Sequence, residues 1–284
     1  MIIYKQYDQA GLDKQYNNRL HVPEFATYLD RWDRLSRQTE KEFHPIQNIQ
    51  YGELPRERLD IYPSALPQSK TLIYIHGGYW QRLDKSDFQF LAPPFQNLNV
   101  TTVLITYPLA PHATIDEIVA SCRKAIKWVH SNISSYNGDP EKIYIAGQSA
   151  GGHLVAMLMA TEWENYGLTN NIIKGAGAFS GLYDLVPVWL SFVNEVVKLD
   201  KEMALRNSPV LLNPTVKCPL LLAVGKDESD EFINQTRELY ASWEDKNLPI
   251  QLLEIPGLNH YSILETMIEK DAPLCNAFRK IMGI

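Results

Sequence analysis

The most constraining feature of this 284-residue chain is the run Lys142-Ile143-Tyr144-Ile145-Ala146-Gly147-Gln148-Ser149-Ala150-Gly151-Gly152-His153. It starts as a β-branched and aromatic strand, passes through Gly-x-Ser-x-Gly, and continues from Leu154 to Ala160 as an apolar helical run. A strand that turns sharply into a helix at a serine lifts the hydroxyl out of the sheet, and only small neighbours let the two backbones come so close. Ser149 is therefore the candidate nucleophile. The alternative is a serine that merely caps a helix, its oxygen accepting a backbone N–H.

The rest of the chain repeats one alternation. Residues 71–75, 100–106, 172–179, 220–224 and 250–255 are short apolar runs of the kind buried on both faces of a parallel sheet. Helical runs separate them: 114–133, with Ile115, Ile118, Val119, Cys122, Ile126 and Val129 on one side, then 182–197, 230–246, and 263–282 broken at Pro273. Residues 46–51 and 58–62 read as two strands joined by a turn at Gly52-Glu53-Leu54-Pro55, able to pair antiparallel at one edge. This pattern is α/β: a mainly parallel central sheet with helices on both faces. Residues 1–43 form an N-terminal helical segment, with Phe25, Leu29, Trp32 and Leu35 at helical spacing from Pro23 onward. It is expected on or near the active site, ahead of a single catalytic domain at 44–284.

Composition narrows the class. A formal charge of −6, with no long Lys/Arg run, argues against nucleic-acid binding and against a polybasic membrane anchor. Cys122, Cys218 and Cys275 are odd in number, widely spaced and free of C-x-x-C, so they suggest neither a disulfide framework nor a metal site. They read as buried small hydrophobes. The first residues lack a basic-then-apolar leader pattern, and no later run is long enough to span a bilayer, so a cytoplasmic enzyme with no membrane partner is expected. The sequence is compatible with a homo-oligomer and does not specify one.

In open parallel sheets, reactive groups collect beyond the carboxyl ends of the strands. His76-Gly77-Gly78-Tyr79, Ser149, the pair Asp227 and Glu228, and His260 all follow strand runs. Nucleophile, acid, histidine is the chain order of the α/β-hydrolase fold. A serine hydroxyl needs a base to remove its proton as it attacks a carbonyl, and His260 is the candidate. A carboxylate must orient that imidazole, and Asp227 and Glu228 compete for the role. The backbones of Gly78, Tyr79 and Ala150 are candidate oxyanion donors. Tyr79, Trp80 and Gln148 are candidate pocket residues, the first two favouring an aromatic or flat apolar group. These parts together argue for catalysis over the remote alternative of a silent ligand-binding hydrolase fold.

The hexad His76-Gly77-Gly78-Tyr79-Trp80-Gln81, the elbow 147–153, Asp227 through Phe232 with Gln235, and Asn259-His260-Tyr261-Ser262-Ile263-Leu264-Glu265 together resemble the kynurenine formamidase (arylformamidase) branch of the α/β-hydrolases. So does the stretch from Phe192-Val193-Asn194-Glu195 to Ser208-Pro209. The resemblance implies a serine hydrolase that removes an N-formyl group from an aromatic amine, or cleaves related small esters and amides, with no metal or organic cofactor. A broad carboxylesterase is the alternative within the same layout. The family spacing to Phe232 maps the triad acid to Glu228, and Gln148 stands where members often carry His.

Overall fold

Eight strands form one sheet in the computed structural model, which describes residues 1–284. In chain order they are β1 (Ile46–Gln50), β2 (Arg58–Tyr62), β3 (Ser69–Ile75), β4 (Val100–Ile105), β5 (Gly138–Gln148), β6 (Ile173–Phe179), β7 (Leu220–Gly225) and β8 (Ile250–Ile255). Their spatial order is β1-β2-β4-β3-β5-β6-β7-β8. Every pair from β4 across to β8 is parallel, whereas β2 runs antiparallel to both β1 and β4. The edge pairing is the one expected from the two strands at 46–62.

The central strands are apolar throughout because successive side chains enter opposite cores. Ile73 and Ile75, Ile143 and Ile145, and Leu220, Leu222 and Val224 enter one core. Leu72 and Tyr74, Tyr144 and Ala146, and Leu221 and Ala223 enter the other. The first is covered by α1 (Gln9–Tyr16), α3 (Ile115–Asn132), α4 (Ala150–Met159) and α5 (Asp230–Trp243). The second is covered by α2 (Phe25–Phe43), the turn of helix around Phe88 to Phe95, and α6 (Pro273–Met282). Thr114 and Glu117 form a reciprocal capping box that starts α3, a device worth about 1 kcal/mol.

Two expectations need correction. The apolar stretch 182–197 is not one helix: it forms short pieces at Val186–Leu190 and Asn194–Val197, followed by Lys201–Arg206. Ser191 is extended, Lys198 is left-handed at φ 59°, and the Asn194 amide bonds the backbone N–H and C=O of Leu199, so the helix cannot propagate. Hydrophobicity here serves burial around the site rather than helical periodicity. The N-terminal segment also carries α1, whose polar sequence hid it; its Asp8 side chain accepts from the Gly11 N–H as an N-cap.

The crossing of α4 over β3 and β5 fixes the elbow. A Cβ on Gly151 would lie 2.0 Å from the Ile75 carbonyl oxygen, and one on Gly147 would lie 2.5 Å from the Gly151 carbonyl oxygen. Both obstacles are backbone, so no side chain can step aside. Gly151→Ala should therefore push α4 off the sheet and lower unfolding free energy by about 2 kcal/mol or more, the scale of overpacking in a close-packed interior. A urea midpoint unchanged from wild type would contradict this.

Candidate active site

Ser149 sits at φ 60°, ψ −123°, between the last residue of β5 and the first of α4. Holding a non-glycine residue there costs about 1–3 kcal/mol. The surroundings impose it: the Ser149 N–H donates to Phe179 O at 2.8 Å, extending the β5–β6 ladder one residue past the strand. Its hydroxyl makes no capping bond to α4, so the simple N-cap reading is not realised. Ser149 instead lines a cavity.

His260 lies in the loop after β8, and its Nδ1 is 2.6 Å from Glu228 Oε2. The other oxygen of Glu228 accepts from Ser180 Oγ at 2.5 Å and from the Gly225 N–H at 2.9 Å. Both partners are buried, and Phe232 packs against the imidazole at a ring distance of 4.5 Å. With three donors the carboxylate is fully satisfied, which is what a buried charge requires. Of the two candidate acids, Glu228 is the one bonded to His260. Asp227 is exposed, its backbone N–H donates to Leu258 O, and its side chain makes no hydrogen bond or salt bridge with His260.

Gln148 fills the other side of the imidazole. Its Nε2 is 3.2 Å from His260 Nε2 and donates to His260 O at 2.9 Å, and that carbonyl fixes which end of the amide faces the ring. A donor at Nε2 and a carboxylate at Nδ1 match the ring tautomer that carries its proton on Nδ1 and its lone pair on Nε2. The N–H groups of Gly78 and Tyr79 have no acceptor within the chain, and that of Ala150 is an orphan of the first helical turn. Gly78 at φ 107° and Tyr79 at φ 52° turn this loop back on itself; a Cβ on Gly78 would lie 2.3 Å from Arg82 O.

The cavity holds about 130 Å³ and is walled by Trp32, Phe88, Tyr79 and Tyr261 beside Gln148, Ser149 and His260. A wider vestibule of about 340 Å³ continues from it, lined by Tyr16, Tyr79, Gln81, Phe192 and Tyr261 among others. The N-terminal segment is bonded to the loops of the site. Tyr79 Oη donates to Tyr16 O at 2.6 Å, Ser229 Oγ to Gln15 O at 2.7 Å, and Trp32 Nε1 to Glu265 Oε1 at 3.1 Å.

Trp80 is a correction. It is fully buried and lines neither space; its indole N–H donates to His153 Nδ1 at 3.2 Å, and His153 Nε2 donates to Asn207 O at 2.9 Å. The positive φ of Tyr79 and Trp80 in succession sends the two rings different ways, one to the cavity and one to the core. Sequence reading missed Ser180, Trp32 as a wall, Phe88 and Arg82. Ser180 had a signal, since it immediately follows β6 at the reactive end of the sheet.

A parallel-majority sheet with helices on both faces, a strained serine at a strand-to-helix elbow, and a His–carboxylate pair beside it define a hydrolase of the α/β-hydrolase fold. Residues 59–181 match the family model BD-FAE. The chain is 37% identical to the kynurenine formamidase of Salmo salar over 84% of its length and 82% of that protein's, and 35% identical to that of Danio rerio over the same shares. A proposed thioesterase from Silicibacter sp. superposes with a TM-score of 0.83 at 26% identity, covering 93% of this chain and 97% of that one. The chain belongs to the kynurenine formamidase family. No helix is long and apolar enough to cross a membrane.

Burial holds the His153 pKa down at about 4, so the ring is neutral in the folded chain. The unfolded chain binds that proton below about 6.5, so stability falls as pH drops from about 6.5 to about 4, by about 3 kcal/mol for this residue. His153→Gln keeps an acceptor for Trp80 and a donor for Asn207 without the titration. Its urea midpoint should fall less steeply with acid than that of wild type across this window; parallel slopes would show that His153 does not titrate as described.

Proposed function

We propose that the chain removes the N-formyl group from an aromatic amine through a formyl-enzyme at Ser149. The observation that carries this reading is the Glu228–His260 pair, 2.6 Å apart, beside Ser149 on an aromatic-walled cavity of about 130 Å³. An apolar cavity of about 150 Å³ holds benzene, so this space suits one ring with little beside it. Kinship with kynurenine formamidases supports the same substrate class.

In this reading Ser149 Oγ attacks the formyl carbon while His260 Nε2 takes its proton, and Gln148 yields that lone pair to the serine. Glu228 holds the ring and balances the imidazolium that forms. Negative charge on the former carbonyl oxygen meets the N–H groups of Gly78, Tyr79 and Ala150, each worth about 3 kcal/mol when aimed at an oxyanion. The C–N bond then breaks, and the arylamine leaves with the proton from His260. Water, deprotonated by the same nitrogen, attacks the formyl ester and releases formate and free Ser149. No metal or organic cofactor enters these steps. Residues 1–43 act as the roof of the site, through Trp32 and Tyr16. The three buried, unpaired cysteines suit a reducing compartment, the cytoplasm.

The second reading, a carboxylesterase for small aromatic or short-chain esters, is favoured by the similarity to the proposed thioesterase. Acyl size separates the two. Kinetics of wild type on an N-formyl arylamine, p-nitrophenyl acetate and p-nitrophenyl butyrate should show preference for the formyl amide and rejection of butyrate; efficient butyrate turnover with little formamide cleavage would establish the esterase. Ser149→Ala should lower kcat by about 10⁴-fold or more on every substrate. Glu228→Gln should lower kcat by about 10²- to 10⁴-fold, while Asp227→Asn stays near wild type. The reverse order for the two acids would refute the assignment of Glu228.

A further inference from the structure

A second cavity, of about 270 Å³, opens between α6 and the helical turn Ala92–Gln96. It shares no lining residue with the catalytic cavity or the vestibule. Phe95, Leu98 and Ile268 supply an apolar wall, and Lys270, Arg279 and the Cys275 thiol supply polar groups. The wall is firmly held: Phe95 is buried and meets Phe278 of the second core edge to face, ring centres 6.3 Å apart. Apolar lining with a few placed polar groups is the usual make-up of a small-molecule site.

The charge on this cavity is unmatched. No carboxylate lines it, and neither Arg279 nor Lys270 has one within 4.0 Å, although Arg31, Arg56, Arg206 and Arg237 all do. Arg279 is part-buried, and its Nε is cut off from solvent with no hydrogen-bond partner. Cys275 lies beside it, but burial foremost raises the thiol above its ordinary pKa, so it stays protonated and offers no counter-charge. Basic residues in a last helical turn commonly serve the terminal carbonyls. Here Lys70 fills that role, its Nζ donating to Met282 O at 2.6 Å and Gly283 O at 2.9 Å. The adjoining surface hollow adds Lys280 to Lys270 and Arg279 against one acid, Asp271, so the region is locally positive on a chain of formal charge −6.

We infer that this cavity is a binding site for a compact amphiphilic carboxylate, its head on Arg279 and Lys270 and its apolar body against Phe95, Leu98 and Ile268. A cation withdrawn from water without a partner costs free energy, and an anionic head removes that cost. A guanidinium binds a carboxylate through two parallel N–H···O bonds, which lysine cannot reproduce. An apolar cavity of about 150 Å³ holds benzene, so about 270 Å³ takes a fused pair of rings or a chain of similar bulk. The site is independent of the chemistry at Ser149 and stands whether the substrate there is a formamide or an ester.

The test uses the full chain with ¹³C-labelled isoleucine methyl groups, the Ile268 signal being identified by its loss in Ile268→Val. Titration with 2-naphthoate, and separately with octanoate, should move that signal to saturation with a Kd of about 1 mM or tighter, while Ile73 in the central sheet stays in place. Saturation by either acid supports the site, and the tighter of the two identifies the body it takes, ring or chain. The neutral 2-naphthamide should bind about tenfold more weakly than the acid. Arg279→Gln should raise Kd for 2-naphthoate about tenfold and leave that of the amide within about twofold, and Arg279→Lys should recover part of the loss. Lys270→Gln, at an exposed position that the fold does not depend on, should weaken the acid about threefold and not the amide. An Ile268 signal that neither acid moves by about 10 mM, equal binding of acid and amide, or wild-type affinity for the acid in both Arg279→Gln and Lys270→Gln would overturn the site.

Discussion

The site depends on one close approach of main chains, that of α4 over the ends of β3 and β5. Gly151 touches the Ile75 carbonyl with no room for a methyl group, and Gly147 and Gly152 are nearly as tight against backbone. Nothing in this contact can relax by rotamer change. It sets the strained conformation of Ser149, aims the Ala150 N–H beyond the helix, and brings the His76-Gly77 loop against the elbow. A Cβ on Gly77 would lie 2.8 Å from Gln148 O and 3.1 Å from Ser149 Cβ. Strain at one serine is thereby sustained by the packing of the whole sheet.

Glu228 and His260 stand on a different kind of support. Their loops follow the last two strands, and backbone bonds lace the loops together: Lys226 N–H to Ile255 O and Asp227 N–H to Leu258 O. Asp227 is exposed there and its neighbour Glu228 buried. The N-terminal segment adds a further layer. Gln235 spans it, accepting from Tyr183 and Asp184 backbone N–H groups and donating to Tyr16 Oη at 2.7 Å. Chain entering from residue 1 is thus bonded to the helix that follows Glu228 and to the loop that carries Tyr79. Arg19, Arg82 and Tyr261, contributed by three separate parts of the sequence, line both the cavity and the vestibule.

Polar burial near the site sorts into two groups by what satisfies it. Glu228 is met by three donors and Gln148 by two acceptors of His260, so the network holds both side chains in one orientation about the imidazole. His153 and Trp80 form a second chain that ends on Asn207 O and serves the core. His76, also kept neutral by burial, stacks 4.2 Å from Tyr107 and leaves its Nε2 without a partner. Of these histidines only His260 has both a carboxylate behind it and the cavity in front.

The strand-to-helix elbow, the alternation of buried strands with helices, the antiparallel edge and the order nucleophile, acid, histidine were legible in the sequence, because each follows from local pattern: period 2, period 3.6, and glycines where backbones must meet. On that basis Ser149, His260 and the pair Asp227 and Glu228 are candidates, and the family resemblance points to Glu228 of the two. Local pattern does not report side-chain direction after two consecutive positive-φ residues, and so Trp80 was read as a wall while its ring lies in the core. Nor does it reveal Ser180 behind Glu228, Trp32 from a helix more than a hundred residues before Ser149, or that Arg19 and Arg82 line one cavity. Residue types and their spacing determined which chemistry was available; the packing of distant segments decided which of two adjacent acids faces the histidine and which side chains enclose the serine, since those choices turn on contacts between residues that the chain itself keeps far apart.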